Sequence, residues 1–127
     1  MRHSLVIWVA ALVASSTAAF AGECPDLSGQ YLTSDRAPFS ISQKSENGVT
    51  TYNYGGEIWI ADGQPHGDFA PVTVVCKNNS VVKTIDYSTV GRVNSVETYS
   101  LDPNGSLVES VESPGPFQPS RSISTRQ

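Results

Sequence analysis

Asp62, His66 and Asp68 place an imidazole between two carboxylates in the stretch ADGQPHGDF, residues 61–69. Such side chains could bind a metal ion or, with a nucleophile, support acid–base catalysis. A metal site would need more ligands than one histidine and flexible carboxylates, and no recognisable nucleophile motif accompanies His66. Asp62-Gly63 is instead a strong hairpin-turn signal that directly follows the apolar segment EIWI. We interpret the stretch as a turn with an exposed histidine.

Paired carboxylates are the second feature that could do chemistry. Glu97 with Glu109, or Glu109 with Glu112, could form a glycosidase-type pair, although charged residues on a solvated hairpin face are the commoner explanation. The chain contains no G-x-S-x-G, H-E-x-x-H, P-loop or G-x-G-x-x-G motif. The sequence therefore predicts a protein that is not an enzyme and that has no cofactor and no metal site.

The first 21 residues, MRHSLVIWVAALVASSTAAFA, have the pattern of a cleaved secretory signal peptide. Arg2 supplies a basic start, an uncharged run follows from Leu5 to Val13, and Ala19-Phe20-Ala21 forms the cleavage signal. The apolar run is shorter than the roughly 20 residues that span a bilayer. We predict an exported protein, periplasmic or extracellular, whose residues 22–127 form a single domain with no membrane insertion.

The charge of the chain argues against two classes of partner. The formal net charge is −4 at pH 7, and lysine and arginine do not cluster. Nucleic acids and anionic membranes attract basic surfaces, so neither is an expected partner. We expect a monomer that binds a small apolar ligand or another exported protein.

Cys24 and Cys76 are the only cysteines, and both follow the predicted cleavage site. An exported chain meets an oxidising compartment, where such a pair forms a disulfide. A bridge closing a loop of this length would stabilise the fold by about 4 kcal/mol in the chain-entropy model. Free or intermolecular thiols are the alternative.

The remaining sequence is typical of an all-β protein. No window has sustained helical apolar spacing, whereas short runs rich in Thr, Val, Ile and Tyr alternate with turn dipeptides. Strands connected in sequence by tight turns predict an antiparallel up-and-down meander. The predicted strands are residues 30–34, 38–45, 49–55, 57–61, 71–77, 80–88, 92–101, 106–112 and 120–126.

Three turns predict the register of their hairpins. Asn47-Gly48 is a two-residue type I′ signal, which pairs Ile41 with Tyr54 and Gln43 with Tyr52. Asp102–Gly105, read as a type I turn followed by a glycine with positive φ, pairs Leu101 with Leu107. Lys77–Ser80 forms a third hairpin and pairs Val72 with Ile85.

CPDLSGQY near the predicted mature start resembles the Gly-x-aromatic entry into a lipocalin-type barrel, with Tyr31 at the usual tryptophan position. IWIADGQPH and the following hairpins, up to the YSLDPNGSL turn, are similar to small secreted lipocalin-like proteins. The resemblance spans roughly residues 24–112. It implies a small antiparallel barrel, often around an apolar cavity and usually without catalytic residues.

Apolar residues on alternating positions supply a candidate core. Polar residues interrupt several of these faces: Lys83 lies between Val81 and Ile85, and Glu97 and Glu109 accompany Leu101 and Leu107. Either the strands twist strongly or one end of the barrel is open to water. The candidate core residues are Tyr31, Phe39, Ile41, Tyr52, Tyr54, Ile58, Ile60, Val72, Val74, Ile85, Tyr87, Val93, Tyr99, Leu101, Leu107, Val111 and Ile123.

Two functions fit this pattern. The first is binding of a small apolar ligand, with aromatic residues forming the site because they combine apolar area with a polar tip. The second is a protein-interaction module, such as an inhibitor of an exported enzyme, that uses the loops 61–70 and 113–119. The candidate ligand-binding residues are Tyr52, Tyr54, Trp59, Tyr87 and Tyr99.

Overall fold

The computed structural model describes residues 24–112 and 120–127, and they form an all-β fold. The predicted leader and the loop 113–119, including Phe117, lie outside the described residues. The strands are β1 (Gly29–Thr33), β2 (Arg36–Glu46), β3 (Val49–Tyr54), β4 (Glu57–Ala61), β5 (Val72–Lys77), β6 (Ser80–Ile85), β7 (Ser95–Leu101), β8 (Leu107–Glu112) and β9 (Ser120–Arg126). No helix within these ranges is long and apolar enough to cross a membrane.

The strands form one antiparallel sheet that curls into a nearly closed barrel. Their order is β4-β3-β2-β1-β9-β8-β7-β6-β5, so every pairing joins consecutive strands except that of β1 with β9. The backbone N–H of Gln127 also donates to the carbonyl of Gln30, at 2.7 Å. The predicted up-and-down meander and barrel are confirmed.

The three predicted hairpin registers are also confirmed. Ile41 pairs with Tyr54 across the turn at Asn47, which has a φ of 53° and therefore the left-handed conformation that a type I′ turn requires. Leu101 pairs with Leu107, and Val72 pairs with Ile85. Turn chemistry and the two-residue side-chain period therefore set which side chains face inward.

The barrel has a seam between β4 and β5. Asp62-Gly63 turns the chain as predicted, but the returning arm does not pair with β4. Instead, the N–H of Gly63 donates to the carbonyl of Val74 at 3.0 Å, and His66 forms an antiparallel bridge with Val72. Pro65 carries no N–H for a continuous ladder, so this arm stays short.

Two predicted strand ends are wrong. Strand β6 ends at Ile85 rather than residue 88, and β7 begins at Ser95 rather than residue 92. Residues 86–94 form a loop with a 3-10 turn at Ser88–Val90. In this loop, side chains rather than a neighbouring strand accept hydrogen bonds from the backbone. Asp86 accepts from the N–H of Ser88 at 2.9 Å, and Asn94 accepts from the N–H of Tyr87 at 3.1 Å.

The core lies inside the barrel, and its composition corrects the prediction at three positions. Ile58, Val93 and Ile123 are exposed, whereas Trp59 and Ala61 are the buried residues of β4. On β4, alternation lets either Ile58 and Ile60 or Trp59 and Ala61 face inward. The second pair takes the inner face. The buried apolar residues are Leu27, Tyr31, Ile41, Tyr52, Trp59, Ala61, Val74, Val81, Tyr99, Leu107 and Val108.

Residues 24–28 cover one end of the barrel, which we call the closed end. Cys24 is bonded to Cys76 at the end of β5, which confirms the predicted disulfide. Tyr52 donates its hydroxyl proton to the carbonyl of Pro25 at 2.7 Å, and Tyr31 donates to that of Leu27 at 2.7 Å. The opposite end, at the loops 34–35, 55–56 and 86–94, we call the loop end.

Candidate functional site

Four of the five predicted ligand-binding residues belong to the inner wall of the barrel. Tyr52 and Trp59 are direct cross-strand partners on β3 and β4. Tyr54 stacks on Trp59 with ring centroids 4.7 Å apart, and Trp59 lies 4.7 Å from Tyr99. Tyr87 precedes the 3-10 turn in the loop 86–94, away from the barrel strands.

Tyr54, Trp59 and Tyr99 belong to a continuous aromatic stack that also contains Tyr31 and Phe39. Phe39 continues the stack to Tyr31 at 5.5 Å and to Tyr54 at 5.1 Å. Tyr52 is 0%, Trp59 2% and Tyr99 3% exposed. Side chains this inaccessible contact protein atoms on all sides, so Tyr52, Trp59 and Tyr99 belong to the packed core.

A charged cluster, consisting of Arg36, Glu57, Lys83, Glu97 and Glu109, lies against the stack toward the loop end. The Lys83 ammonium is 3.0 Å from a Glu57 oxygen, 3.7 Å from a Glu97 oxygen and 4.8 Å from the Trp59 ring centre. The indole N–H of Trp59 donates to Glu57 at 2.7 Å. Lys83 and Glu97, two of the polar residues that interrupt the apolar faces, are thus paired with each other, and Lys83 also pairs with the more exposed Glu57.

The two inner carboxylates of β7 and β8 are each bound to a tyrosine. Tyr99 donates to Glu97 at 2.6 Å, and Tyr54 donates to Glu109 at 3.1 Å. Arg36 in turn donates to the Tyr54 hydroxyl at 3.0 Å and lies 3.7 Å from Glu109. The structure therefore gives Glu97 and Glu109 structural partners, and Glu112 is exposed at the end of β8.

Burial sets the ionisation of this region. Burial raises the pKa of Tyr99 well above its usual value, and the hydrogen bond to Glu97 adds to this. Burial likewise raises the pKa of Tyr52 and Tyr54. Burial alone would raise the pKa of Glu57, but hydrogen bonds from Trp59 and Lys83 outweigh it and lower that pKa. The tyrosines therefore stay neutral and Glu57 stays charged at neutral pH.

Raising the pH above about 10 is expected to destabilise the fold. The unfolded tyrosines lose their protons near the ordinary pKa of 10.0, whereas Tyr52, Tyr54 and Tyr99 keep theirs when folded. The stability that these neutral tyrosines provide is complete below the unfolded pKa, and it then falls by about 1.4 kcal/mol per pH unit for each tyrosine. Urea unfolding at several alkaline pH values measures how steeply the unfolding free energy falls with pH. Tyr99→Phe should reduce that slope by about 1.4 kcal/mol per pH unit. An unchanged slope in that variant would contradict this assignment.

Asp62 and His66 form a local pair, whereas Asp68 is exposed and separate from it. The Nε2 atom of His66 lies 3.0 and 2.9 Å from the two Asp62 oxygens, and Asp62 accepts from the N–H of Gln64 at 2.9 Å. The Gln64 hydrogen bond, followed by His66, lowers the pKa of Asp62. Within residues 24–112 and 120–127, no three His, Cys, Asp or Glu side chains are grouped to hold a metal ion.

Three exposed apolar residues, Phe69, Val90 and Val93, lie on two loops that a hydrogen bond joins, and we call these three residues the Phe69 patch. Phe69 is 72% exposed, the highest value among the exposed large apolar residues of the described ranges. Thr89 donates its hydroxyl proton to the carbonyl of Phe69 at 2.7 Å, which holds the two loops together. The loop 61–70 was predicted as a contact surface, but Phe69 itself was not singled out. The sequence signal for an exposed ring was the position of Phe69 among turn-forming residues, outside any alternating strand pattern that would bury it.

Comparisons of the chain with protein-family models, with curated proteins and with solved structures found no match. The nearly closed antiparallel barrel is compatible with a lipocalin-like fold. Membership of that group stays a prediction.

Proposed function

We propose that this protein is an exported, lipocalin-like binding module whose partner is another exported protein, contacted through the Phe69 patch. The observation that carries the proposal is the exposure of Phe69, at 72%, together with the exposure of Val90 and Val93 on the loop that is hydrogen-bonded to it. Aromatic side chains are frequent anchors at protein interfaces because one ring buries a large apolar area. The disulfide supports the exported part of the proposal, since such bonds persist in oxidising compartments.

The loops that carry the patch are held in place before any partner binds. His66 and Val72 exchange two backbone hydrogen bonds of 2.9 and 2.8 Å, and the N–H of Asp86 donates to the carbonyl of Pro71 at 2.9 Å. A loop fixed in this way loses less conformational freedom on binding, which favours affinity. Phe69 is therefore presented by an ordered support.

The surroundings of the patch favour a particular partner chemistry. Asp68 is exposed beside Phe69, and Asp86 lies at the start of the neighbouring loop. Hydrogen bonds from Ser88 lower the pKa of Asp86, so this carboxylate is ionised at neutral pH. Arg92, between Val90 and Val93, is also exposed, so both signs of charge surround the patch. The best match is an apolar pocket that admits one aromatic ring and has charged groups of both signs at its rim.

Phe69→Ser is expected to weaken the complex with such a partner at least about thirtyfold, since truncating an interface anchor costs about 2 kcal/mol or more. The partner would be captured from the secreted proteins of the host, identified, purified and titrated against the wild type and the variant. Ile123→Ser is the matched control. Ile123, like Phe69, is an exposed large apolar residue, but it lies on β9, opposite the seam. Its affinity should equal that of the wild type.

Equal affinity of wild type and Phe69→Ser for every purified partner would contradict the proposal. Equal losses in Phe69→Ser and Ile123→Ser would also contradict it, because the effect would then be unspecific. A self-association that Phe69→Ser abolishes would replace the exported partner with a second copy of the chain.

Binding of a small apolar ligand stays a prediction. The structure brings Tyr52, Tyr54, Trp59 and Tyr99 close together, but the burial of Tyr52, Trp59 and Tyr99 in the packed core favours the interaction module.

A further inference from the structure

A small cleft lies beside the disulfide at the closed end, away from the Phe69 patch. Its volume is about 170 Å³. The Cys24–Cys76 bridge, Ala61 and Val75 form its apolar walls, and Asp62 is its charged lining residue. The lining of the cleft therefore combines apolar side chains with an acidic residue.

The rim of the cleft is open because glycines occupy it. Gly48, in the β2–β3 turn, has no heavy atom within 4 Å of where a side chain would begin. Gly63 follows Asp62 and is exposed, and the nearest atom to its absent side chain is a Val75 methyl at 3.6 Å. A ligand can therefore reach the walls of the cleft from solvent.

Asp62 retains capacity to bind a cation. Its Oδ1 atom accepts from Gln64 and contacts His66, whereas the contact of Oδ2 is with His66 alone. A carboxylate oxygen can accept two hydrogen bonds, so Oδ2 has room for another donor. The lowered pKa of Asp62 keeps the group ionised at neutral pH.

We propose that the cleft binds a short primary alkylammonium ion, with its alkyl chain against the disulfide, Ala61 and Val75 and its ammonium group on Asp62. A water molecule takes about 30 Å³ of liquid, so the cleft accommodates about six non-hydrogen atoms. Pentylamine has that number of non-hydrogen atoms. We therefore take a free amine as the occupant, and a lysine side chain of a protein is the alternative that the test distinguishes. This site is independent of the proposed protein-binding function.

Titration of the full-length mature protein with pentylamine at pH 7, followed by the NMR shifts of the Ala61 and Val75 methyl groups, tests the proposal. We expect saturable shifts with a Kd of about 1 mM, a range reached by small ligands of this size. Pentanol has the same length without the charge and should bind about tenfold more weakly. Asp62→Asn should weaken pentylamine by a similar factor, because the amide still accepts from Gln64 but carries no charge.

Asp68→Asn is the matched control, since it removes an exposed carboxylate of the same loop, and it should leave the pentylamine titration unchanged. The proposal is wrong if pentanol binds as well as pentylamine, if Asp62→Asn binds normally, or if no saturation occurs up to about 20 mM. A lysine-containing peptide that saturates the same methyl groups while pentylamine does not would also overturn it.

Discussion

A variant carrying Cys24→Ser and Cys76→Ser is expected to lose about 4 kcal/mol of unfolding free energy. The bridge joins residues 52 positions apart, so it removes a large loop from the conformations open to the unfolded chain. The loss is a large part of the 5–15 kcal/mol that usually stabilises a domain. Urea unfolding, followed by far-UV circular dichroism, measures it.

The dependence of the unfolding free energy on urea concentration shows whether the lost stability comes from the unfolded state. The serine variant should show a larger denaturant dependence, because an unfolded chain without the cross-link exposes more surface. Reduced wild-type protein is the matched control, and it should unfold like the variant. A loss below about 1 kcal/mol would mean that the hydrogen bonds of Pro25 and Leu27 alone hold residues 24–28 in place.

Lys83→Met is expected to cost about 3 kcal/mol, because it removes one partner of a buried ion pair while preserving the apolar stem. The Lys83 side chain is 7% exposed and that of Glu97 is 18% exposed, so Glu97 would be left in the barrel without its cation. Glu57, at 54%, can turn to solvent. The measurement is again urea unfolding at neutral pH.

Two further variants separate charge from packing. Lys44→Met is the surface control: Lys44 pairs with Glu46 at 3.6 Å, but both side chains are 71% exposed, so the loss should stay below about 1 kcal/mol. Adding Glu97→Gln to Lys83→Met should recover most of the lost stability, since the neutral amide still accepts from Tyr99. Without that recovery, the loss comes from packing against Trp59 rather than from the unpaired carboxylate.

Much of the fold could be predicted because the turns are local. The pairing of Ile41 with Tyr54 follows from Asn47-Gly48 and the two-residue period alone, and the pairing of Leu101 with Leu107 follows from Asp102–Gly105 in the same way. The disulfide was predictable because two cysteines leave only one intramolecular pairing.

The errors arose where distant parts of the chain decide the outcome. Strand β4 has apolar residues at Ile58, Trp59 and Ile60, so its own pattern does not show which face is inward. Stacking on Tyr54 and Tyr99, from other strands, places Trp59 inside.

The candidate sites were less accessible to sequence reasoning than the fold. Lys83, Glu97 and Glu109 were recognised as interruptions of apolar faces, but their partners Glu57, Arg36 and Tyr54 come from the other half of the sheet. The cleft beside the disulfide likewise joins the β2–β3 turn to the end of β5. Neither neighbourhood has a signature within one short segment.

The pairing of β1 with β9 has a consequence for how the chain folds. Consecutive hairpins can form as soon as their two strands exist, but this contact joins the two ends of the domain. Bringing such distant segments together costs more chain entropy than closing a hairpin, so the joining of the two halves of the sheet follows hairpin formation. During synthesis β9 emerges last, and until then the outer edge of β1 exposes unpaired backbone groups that can pair with neighbouring chains.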